Sequence, residues 1–337
     1  MPRDATLEDV ARQAGVSLAT ASRVLNGSTR QVGRALRDRV EQAAAELGYT
    51  TNRAAQALAR SASDILGLVV HDLSDPYFAE VANAVVRAAG RHGLSVMVGT
   101  TFRDPEAEIG YVATLRAQRV RAIVLAGSRS ADPEVTARLR AEIDRFQGTG
   151  GRAALIGQDL LGVDTVVPDN HAGSRELAEA LARLGHTRFA VLTGPPGLLT
   201  AADRTAGFAE GLASLGLPAP VLIPGPFDRD GGHAAARELL AAHGTEVTCV
   251  FAVNDVMAVG ALAALRGAGV DVPGRISVAG FDDIPTLRDL TPALTTVRLP
   301  LAEMGTRAVE LALGADPAGA EAARARVVLR ESTRALT

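Results

Sequence analysis

From Ile65 onward one unit recurs along the chain: a short apolar run, a turn, then a stretch of helical period. Ile65-Leu-Gly-Leu-Val-Val70 leads into a helix over about 77–92, Leu94–Val98 into one over 105–118, and Ala122–Ala126 into one over 132–145, with Ala153–Ile156 closing the series. A second series reads as strands at Thr165–Val167, Arg188–Leu192, Val221–Ile223, Cys249–Val253 and Ser277–Gly280, with helices near 171–184, 201–215, 230–243 and 255–268. Runs this short and uniformly apolar, separated by helices, predict parallel sheets covered on both faces. Two series predict two α/β lobes. Ligands of such sheets sit beyond the carboxyl ends of the strands, so two lobes facing each other predict a cleft that binds a small molecule.

The first sixty residues follow another plan. Thr6 with Asp9 reads as a capping box, and Leu7, Val10, Ala11 and Ala14 fall on one helical face. Gly15 permits a sharp turn, and Ser17 can cap a second helix whose inner face is Ala21, Val24 and Leu25. Its outer face carries Leu18, Ala19, Ser22 and Arg23, and Asn26-Gly27 ends it. This is the plan of a helix-turn-helix, whose second helix enters the major groove of DNA. A third amphipathic helix is predicted over 33–47, with Leu36, Val40, Ala43, Ala44 and Leu47 inward and Gly48 as its stop.

Charge agrees with this division. The 337 residues carry a net −3, yet residues 1–62 hold nine Arg against six Asp or Glu, or +3, leaving −6 for the remainder. With no Lys, all 35 basic residues are Arg, which suits bidentate contacts to phosphate and guanine, although a compositional bias accounts for the absence equally well. The single cysteine, Cys249, falls in an apolar run and reads as a buried strand thiol. The sequence shows no signal peptide and no run of membrane-spanning length, so a cytoplasmic protein without membrane contact is expected.

The string from Thr6 to Asn26, Thr-Leu-x-Asp-Val-Ala-x-x-Ala-Gly-Val-Ser-x-x-Thr-x-Ser-Arg-Val-Leu-Asn, closely resembles the opening of the lactose/galactose repressor family of bacterial transcription regulators. Residues 49–60, with Asn52-Arg53-x-Ala55-x-x-Leu58, resemble that family's hinge. A helix over 53–59 is too short to stand alone and would fold only when paired with its twin on DNA. The body resembles the periplasmic sugar-binding-protein fold that the family carries behind its hinge, on strings such as Asp72-Leu-Ser-Asp-Pro-Tyr-Phe78, Arg204-x-x-Gly-Phe208, Ala252-Val-Asn-Asp255 and Ile276–Asp283. Departures are Ala21 for the usual Val, Gly33 and Leu36 at the third helix, Thr51 for a hinge Pro, and Leu299 for a Gln near the pocket rim.

The resemblance implies an N-terminal all-α helix-turn-helix head over 1–50, a hinge helix and linker over 51–63, and a two-lobed α/β effector and dimerisation domain over 64–337. Lobe 1 is expected over about 64–162 and 292–325, and lobe 2 over about 163–291 and 326–337. DNA contacts are assigned to Thr6, Ser17, Leu18, Ala19, Thr20, Ser22, Arg23 and Asn26 in the head. In the hinge they fall to Asn52, Arg53, Ala55 and Leu58, with Leu58 wedging the minor groove. Effector contacts are assigned to Arg204, Asn254 and Asp282, with Asp72, Tyr77, Phe78, Ser128 and Phe227 as further pocket candidates. The bland alternatives are a linker-core Leu58 and, for the effector residues, surface polar groups or an Arg–Asp pair that only holds the lobes together.

Two other classes fit less well. Gly148-Thr-Gly-Gly-Arg-Ala153 matches a dinucleotide fingerprint, but it precedes a strand where the fingerprint needs a helix start. His71 with Asp282-Asp283 lacks metal-ligand spacing. A transport-binding protein would need a signal peptide and no helix-turn-helix. The sequence therefore reads as a homodimeric repressor of a pseudo-palindromic operator. It responds to a small effector, expected to be a sugar, and it is neither an enzyme nor a cofactor protein.

Overall fold

The computed structural model describes residues 5–25, 32–49, 63–244, 246–316 and 319–336. The chain divides into two units, Met1–Asp64 and Ile65–Thr337. Asn26, Thr51, Asn52, Arg53, Ala55 and Leu58 lie outside the described residues, so the hinge assignments rest on sequence.

In the head, α1 (Leu7–Ala14) starts from a complete capping box: the Thr6 hydroxyl accepts from the Asp9 N–H, and the Asp9 carboxylate accepts from the Thr6 N–H at 3.0 Å. Gly15 at φ 64° ends the helix in the left-handed conformation, and the Val16 N–H returns to the Ala11 carbonyl. The second helix, α2 (Leu18–Leu25), is capped by Ser17, whose Oγ accepts from the Thr20 N–H at 3.2 Å. Gly33 opens α3 (Arg34–Glu46) with no side-chain cap, as its sequence implies. The three helices close on Val10, Ala11, Ala14, Ala21, Val40, Ala43 and Ala44, while Leu18, Ala19 and Arg23 face outward.

The body begins with a six-stranded, wholly parallel sheet. Its strands are β1 (Ile65–Val70), β2 (Ser95–Thr100), β3 (Ala122–Ala126), β4 (Arg152–Ile156), β5 (Asp164–Pro168) and β11 (Ala320–Ala323), in the order β11-β5-β4-β3-β1-β2. The helices that follow the first three strands, α4 (Pro76–Arg91), α5 (Pro105–Ala117) and α6 (Pro133–Gln147), share one start signal. Asp75, Asp104 or Asp132 caps the first turn, and a Pro sits just inside it. Asp accepts the orphan N–H groups and Pro pre-sets φ, so each helix begins abruptly at the carboxyl end of a strand.

The second lobe holds a four-stranded parallel sheet, in the order β7 (Val221–Pro224), β6 (Phe189–Thr193), β8 (Cys249–Ala252), β9 (Ser277–Ala279). It is covered by α7 (Asn170–Arg183), α8 (Leu199–Ser214), α9 (Arg229–His243) and α10 (Asp255–Gly267). Cys249 is fully buried in β8, and burial pushes its thiol pKa up.

Two expected lobe boundaries are corrected. The strand Asp164–Pro168 pairs with β4 and β11, so it belongs to lobe 1 and the chain first crosses after Pro168 rather than at 163. A run of apolar residues does not encode its partner, and β4 joins β5 through a connection with no helix. The return is also later than 292: Thr295 bridges Ala279 at the edge of lobe 2, and β10 (Thr296–Arg298) pairs antiparallel with β12 (Arg326–Val328). Lobe 1 is regained only at α11 (Leu301–Ala312), a helix not among those expected from the sequence. Its Gly305 lies so close to α4 that an added Cβ would stand 2.8 Å from both Ala84 Cβ and the Val81 carbonyl. At the crossings Asp283 accepts from Arg298 and from Arg330, the latter at 2.6 Å, which ties the end of β9 to both returning segments.

Candidate effector site

A cavity opens between the lobes, where ligands of facing α/β sheets bind. Each wall is the carboxyl end of a strand or the helix start that follows it. Lobe 1 supplies His71, Asp75, Tyr77, Phe78, Arg103, Gly127, Ser128, Ile156, Gly157 and Pro168. Lobe 2 supplies Asn170, Leu198, Thr200, Arg204, Phe227 and Asp282.

Arg204 is the most constrained group. It is 3% exposed. Its Nε donates to Asn170 Oδ1 at 2.9 Å, Nη1 to the Val253 carbonyl at 2.7 Å and Nη2 to Asp282 Oδ1 at 2.7 Å. The guanidinium lies 3.9 Å above the buried Phe281 ring, a cation–π contact that fixes its plane. All these partners belong to lobe 2, so one donor set is pre-oriented before anything enters. Burial pushes the Asp282 carboxyl up to about 7, opposed by the charge and hydrogen bond of Arg204. Neighbouring Asp255, fully buried and accepting from Thr296 Oγ1 and the Ile284 N–H, is pushed up to about 8, by burial first and then by the Asp282 charge.

Lobe 1 presents a mixed wall. Burial raises Asp75, and Arg103 reaches across the cleft to place its guanidinium 5.3 Å over the Phe227 ring of lobe 2. His71 is buried: Nδ1 lies 3.0 Å from Thr101 Oγ1, and Nε2 lies 3.2 Å from the Ser128 carbonyl. Because a carbonyl can only accept, Nε2 carries the proton and Nδ1 accepts from Thr101. Gly127, at φ 149°, makes room for this ring, since a Cβ there would stand 2.3 Å from Nε2.

Burial is the largest cause that lowers the His71 pKa to about 3, with the charges of Arg129 and Arg103 adding to it. The unfolded chain therefore binds a proton near pH 6.5 that the folded chain refuses until about pH 3, so this group withdraws stability as pH falls through that window. Asp75, Asp255 and Asp282 have the opposite sign, because their raised pKa values make the folded state hold protons longer as pH rises. Comparing wild type with His71→Gln isolates the first effect. Between pH 6.5 and 4.5 the wild type should lose up to about 3 kcal/mol more stability than the variant in urea melts. Equal losses would mean that His71 takes up a proton in the folded chain.

The lobes are also joined beside the cavity. Ser130 and Leu198 form an antiparallel bridge, the Ala131 N–H donates to the Gly197 carbonyl at 2.9 Å, and the Leu199 N–H donates to the Arg129 carbonyl. The Thr200 N–H donates to Ser128 Oγ at 3.0 Å, and Gln158 Nε2 donates to Thr200 Oγ1 at 3.0 Å. This latch crosses from lobe 1 to lobe 2.

Of the eight residues expected at the effector, Tyr77, Phe78, Ser128, Arg204, Phe227 and Asp282 line the cavity, and Asp72 and Asn254 do not. Asp72 Oδ1 accepts from the Ser74 N–H and hydroxyl, a local turn that occupies its carboxylate. Asn254 caps α10, its Oδ1 accepting from the Met257 N–H at 2.8 Å, while its buried Nδ2 has no partner among the described residues. Asp75, Arg103, Asn170 and Thr200 also line the cavity and are not among the residues expected from the sequence. A signal existed for Asp75 and Asn170, since each stands at a helix start directly after a strand, where α/β ligands bind. In the head, the Thr6 and Ser17 hydroxyls expected at DNA are engaged as helix caps.

Residues 6–52 match the family model described as bacterial regulatory proteins, lacI family, and residues 178–333 match the periplasmic binding protein-like domain. The regulator GalS of Salmonella typhimurium is 40% identical over 312 residues, 91% of this chain and 89% of that protein. The regulator GalR of Escherichia coli is 36% identical over 313 residues, 92% of this chain and 88% of that protein. The crystal structure of the lac repressor dimer bound to operator and the anti-inducer ONPF superposes with a TM-score of 0.87 at 29% identity, covering 99% of this chain and 100% of that one.

Proposed function

This chain belongs to the lacI family of bacterial regulatory proteins, as a DNA-binding transcription regulator, and on that premise we propose that it is a homodimeric, sugar-responsive repressor. The observation that carries the sugar reading is the rigid set of Arg204, Asp282 and Asn170 on one wall of the cavity. Paired donors and acceptors at fixed spacing match vicinal hydroxyls, and Phe227 offers an apolar face for the ring. In the head, Leu18, Ala19 and Arg23 stand on the exposed face of α2, the face that reads base edges in a helix-turn-helix. Val86 on α4, Met97 and Val98 on edge strand β2 and Leu222 on edge strand β7 are exposed, which supports self-association of the body. No helix among the described residues is long and apolar enough to cross a membrane, and a regulator of chromosomal DNA works in the cytoplasm.

The mechanism follows from the latch and the crossings. A sugar held by the fixed lobe 2 wall and touching lobe 1 binds one lobe angle better than another, and it shifts the equilibrium by that difference in affinity. In a dimer the lobe angle sets the spacing of the two hinge segments, and so of the two heads. A thermal-shift panel of sugars and nucleosides tests the effector class: a sugar should raise the melting temperature of the body in a dose-dependent way. Stabilisation by nucleosides alone would contradict it. For the hinge, Leu58→Ala should weaken operator binding at least tenfold and leave binding to random DNA within twofold in salt-matched anisotropy titrations. Non-specific affinity rests on Arg–phosphate contacts and not on a minor-groove wedge.

A further inference from the structure

The chain after β9 holds two consecutive residues with side chains in the left-handed region, Asp282 at φ 121° and Asp283 at φ 58°. Residues other than glycine resist that conformation, and two in a row persist only where their surroundings over-determine them. This turn also builds the site. It presents Asp282 to the cavity and turns Asp283 to Arg298 and Arg330.

One of the contacts that hold the turn is a contact that an effector disturbs. The Arg204–Asp282 pair lies on the cavity wall, where a ligand hydroxyl competes for both members. A second set of contacts lies out of the ligand's reach. Asp255, the first residue of α10, is 0% exposed and does not line the cavity. Its N–H donates to the Phe281 carbonyl at 2.9 Å, just before the turn. Its Oδ2 accepts from the Ile284 N–H at 3.0 Å, just after it. Its Oδ1 accepts from Thr296 Oγ1 at 2.7 Å on β10, the strand whose Val297 carbonyl accepts from the Asp282 N–H at 2.8 Å. One residue therefore brackets the turn and fastens it to α10 and to the returning strand. Gly280 leaves the space for this carboxyl group, since a Cβ there would stand 2.3 Å from Asp255 Oδ1. A carboxyl group buried so completely is costly, and it is kept where its hydrogen bonds hold a strained segment in place.

We propose that Asp255 is a positioning residue of the effector site: its carboxyl group clamps the Asp282–Asp283 turn and so sets the direction in which Asp282 meets an effector. The clamp is made of hydrogen bonds, so an amide can replace the acid. In Asp255→Asn the side-chain oxygen accepts from the Ile284 N–H while Nδ2 donates to Thr296 Oγ1. This inference rests on the sugar-effector reading, and its test separates the two.

The full-length protein is titrated calorimetrically with whichever of glucose, galactose and ribose most raises its melting temperature. Amide hydrogen exchange across residues 280–286 is followed in the same proteins without sugar. Asp255→Ala should weaken sugar binding at least tenfold and speed exchange at the turn at least tenfold, with β6 unchanged. Asp255→Asn should keep both within threefold. Gly280→Ala, which drives a methyl group into the place of the carboxyl, should repeat the losses of Asp255→Ala even if that variant does not fold. The double variant should lose no more than Asp255→Ala alone, because the same bonds are at stake. Leu239→Ala, a core truncation on α9, controls for general loss of stability and should leave sugar affinity within twofold. Wild-type exchange at the turn in Asp255→Ala and Gly280→Ala overturns the inference. So does wild-type affinity in a variant whose turn exchanges faster, or an Asp255→Asn as impaired as Asp255→Ala. If no sugar binds the wild type, the sugar reading beneath fails, and the exchange rates still decide the clamp.

Discussion

Arg204→Ala should reduce effector affinity at least 100-fold and abolish the effector's influence on operator binding. The substitution removes three hydrogen bonds and the stacking on Phe281 at once. Those bonds are internal to lobe 2 and leave two guanidinium N–H groups for a ligand; a charged hydrogen bond is worth about 1.5–3 kcal/mol, so losing both accounts for the factor of 100. Stability should fall as well. Asp282 is 6% exposed and would be left buried without its cation, a defect that costs about 3–5 kcal/mol when one partner of a buried pair is removed. The double variant Arg204→Met/Asp282→Asn separates the two effects, because it deletes both charges and should recover most of the stability but none of the affinity. Arg204→Lys should lie between, since an ammonium keeps the charge without the planar fork that reaches Asn170, Val253 and Asp282 together. Urea melts and ligand titrations of the three variants provide the check. Wild-type affinity in Arg204→Ala would remove the residue from the site and leave it as a strut of lobe 2.

The second large effect belongs to the head. Ala21→Asp should cost more than 1000-fold in operator affinity while leaving effector binding within twofold. Ala21 is 0% exposed, in a core whose other buried members among the described residues are two valines and four alanines. Such a core has little apolar area in reserve, and a small domain of this size has only about 3–5 kcal/mol to lose. An unpaired carboxylate in that position costs several kcal/mol. The head should unfold, and α2 with it. Because Ile65–Thr337 is a separate unit with its own core, the sugar-induced rise in its melting temperature should persist. Operator binding by Ala21→Asp would mean that α2 does not carry recognition.

Arg204 and Asp282 were legible in the sequence because each stands in a string that matches a family motif, and geometry then joined them at 2.7 Å. Asn254 stands in an equally good string, yet its carbonyl oxygen is used to start α10. Capping and ligand binding draw on the same residue types at the same places, the first turns of helices that follow strands, and sequence alone does not say which one takes the side chain. Arg103 and Thr200 were not legible for another reason. Their value comes from which loop faces which across the cleft, a relation between lobes that no local pattern records. The strand Asp164–Pro168 is legible in the sequence but its sheet is not, because parallel pairing is decided by long-range contact. The head was read most completely, since capping box, left-handed Gly15 and inner face are all local.

Coupling of a helix-turn-helix to a sugar site within one chain has a consequence that can be measured. Its most direct test is selection of sites from random DNA by the full-length protein, followed by anisotropy titration of the selected site with and without the sugar that most raises the melting temperature. A two-fold dimer presents two identical heads, so the selected sites should show inverted half-sites, and the stabilising sugar should change affinity for them at least tenfold. Recovery of single, asymmetric half-sites, or a sugar that stabilises the protein while leaving operator affinity unchanged, would contradict a sugar-coupled dimer.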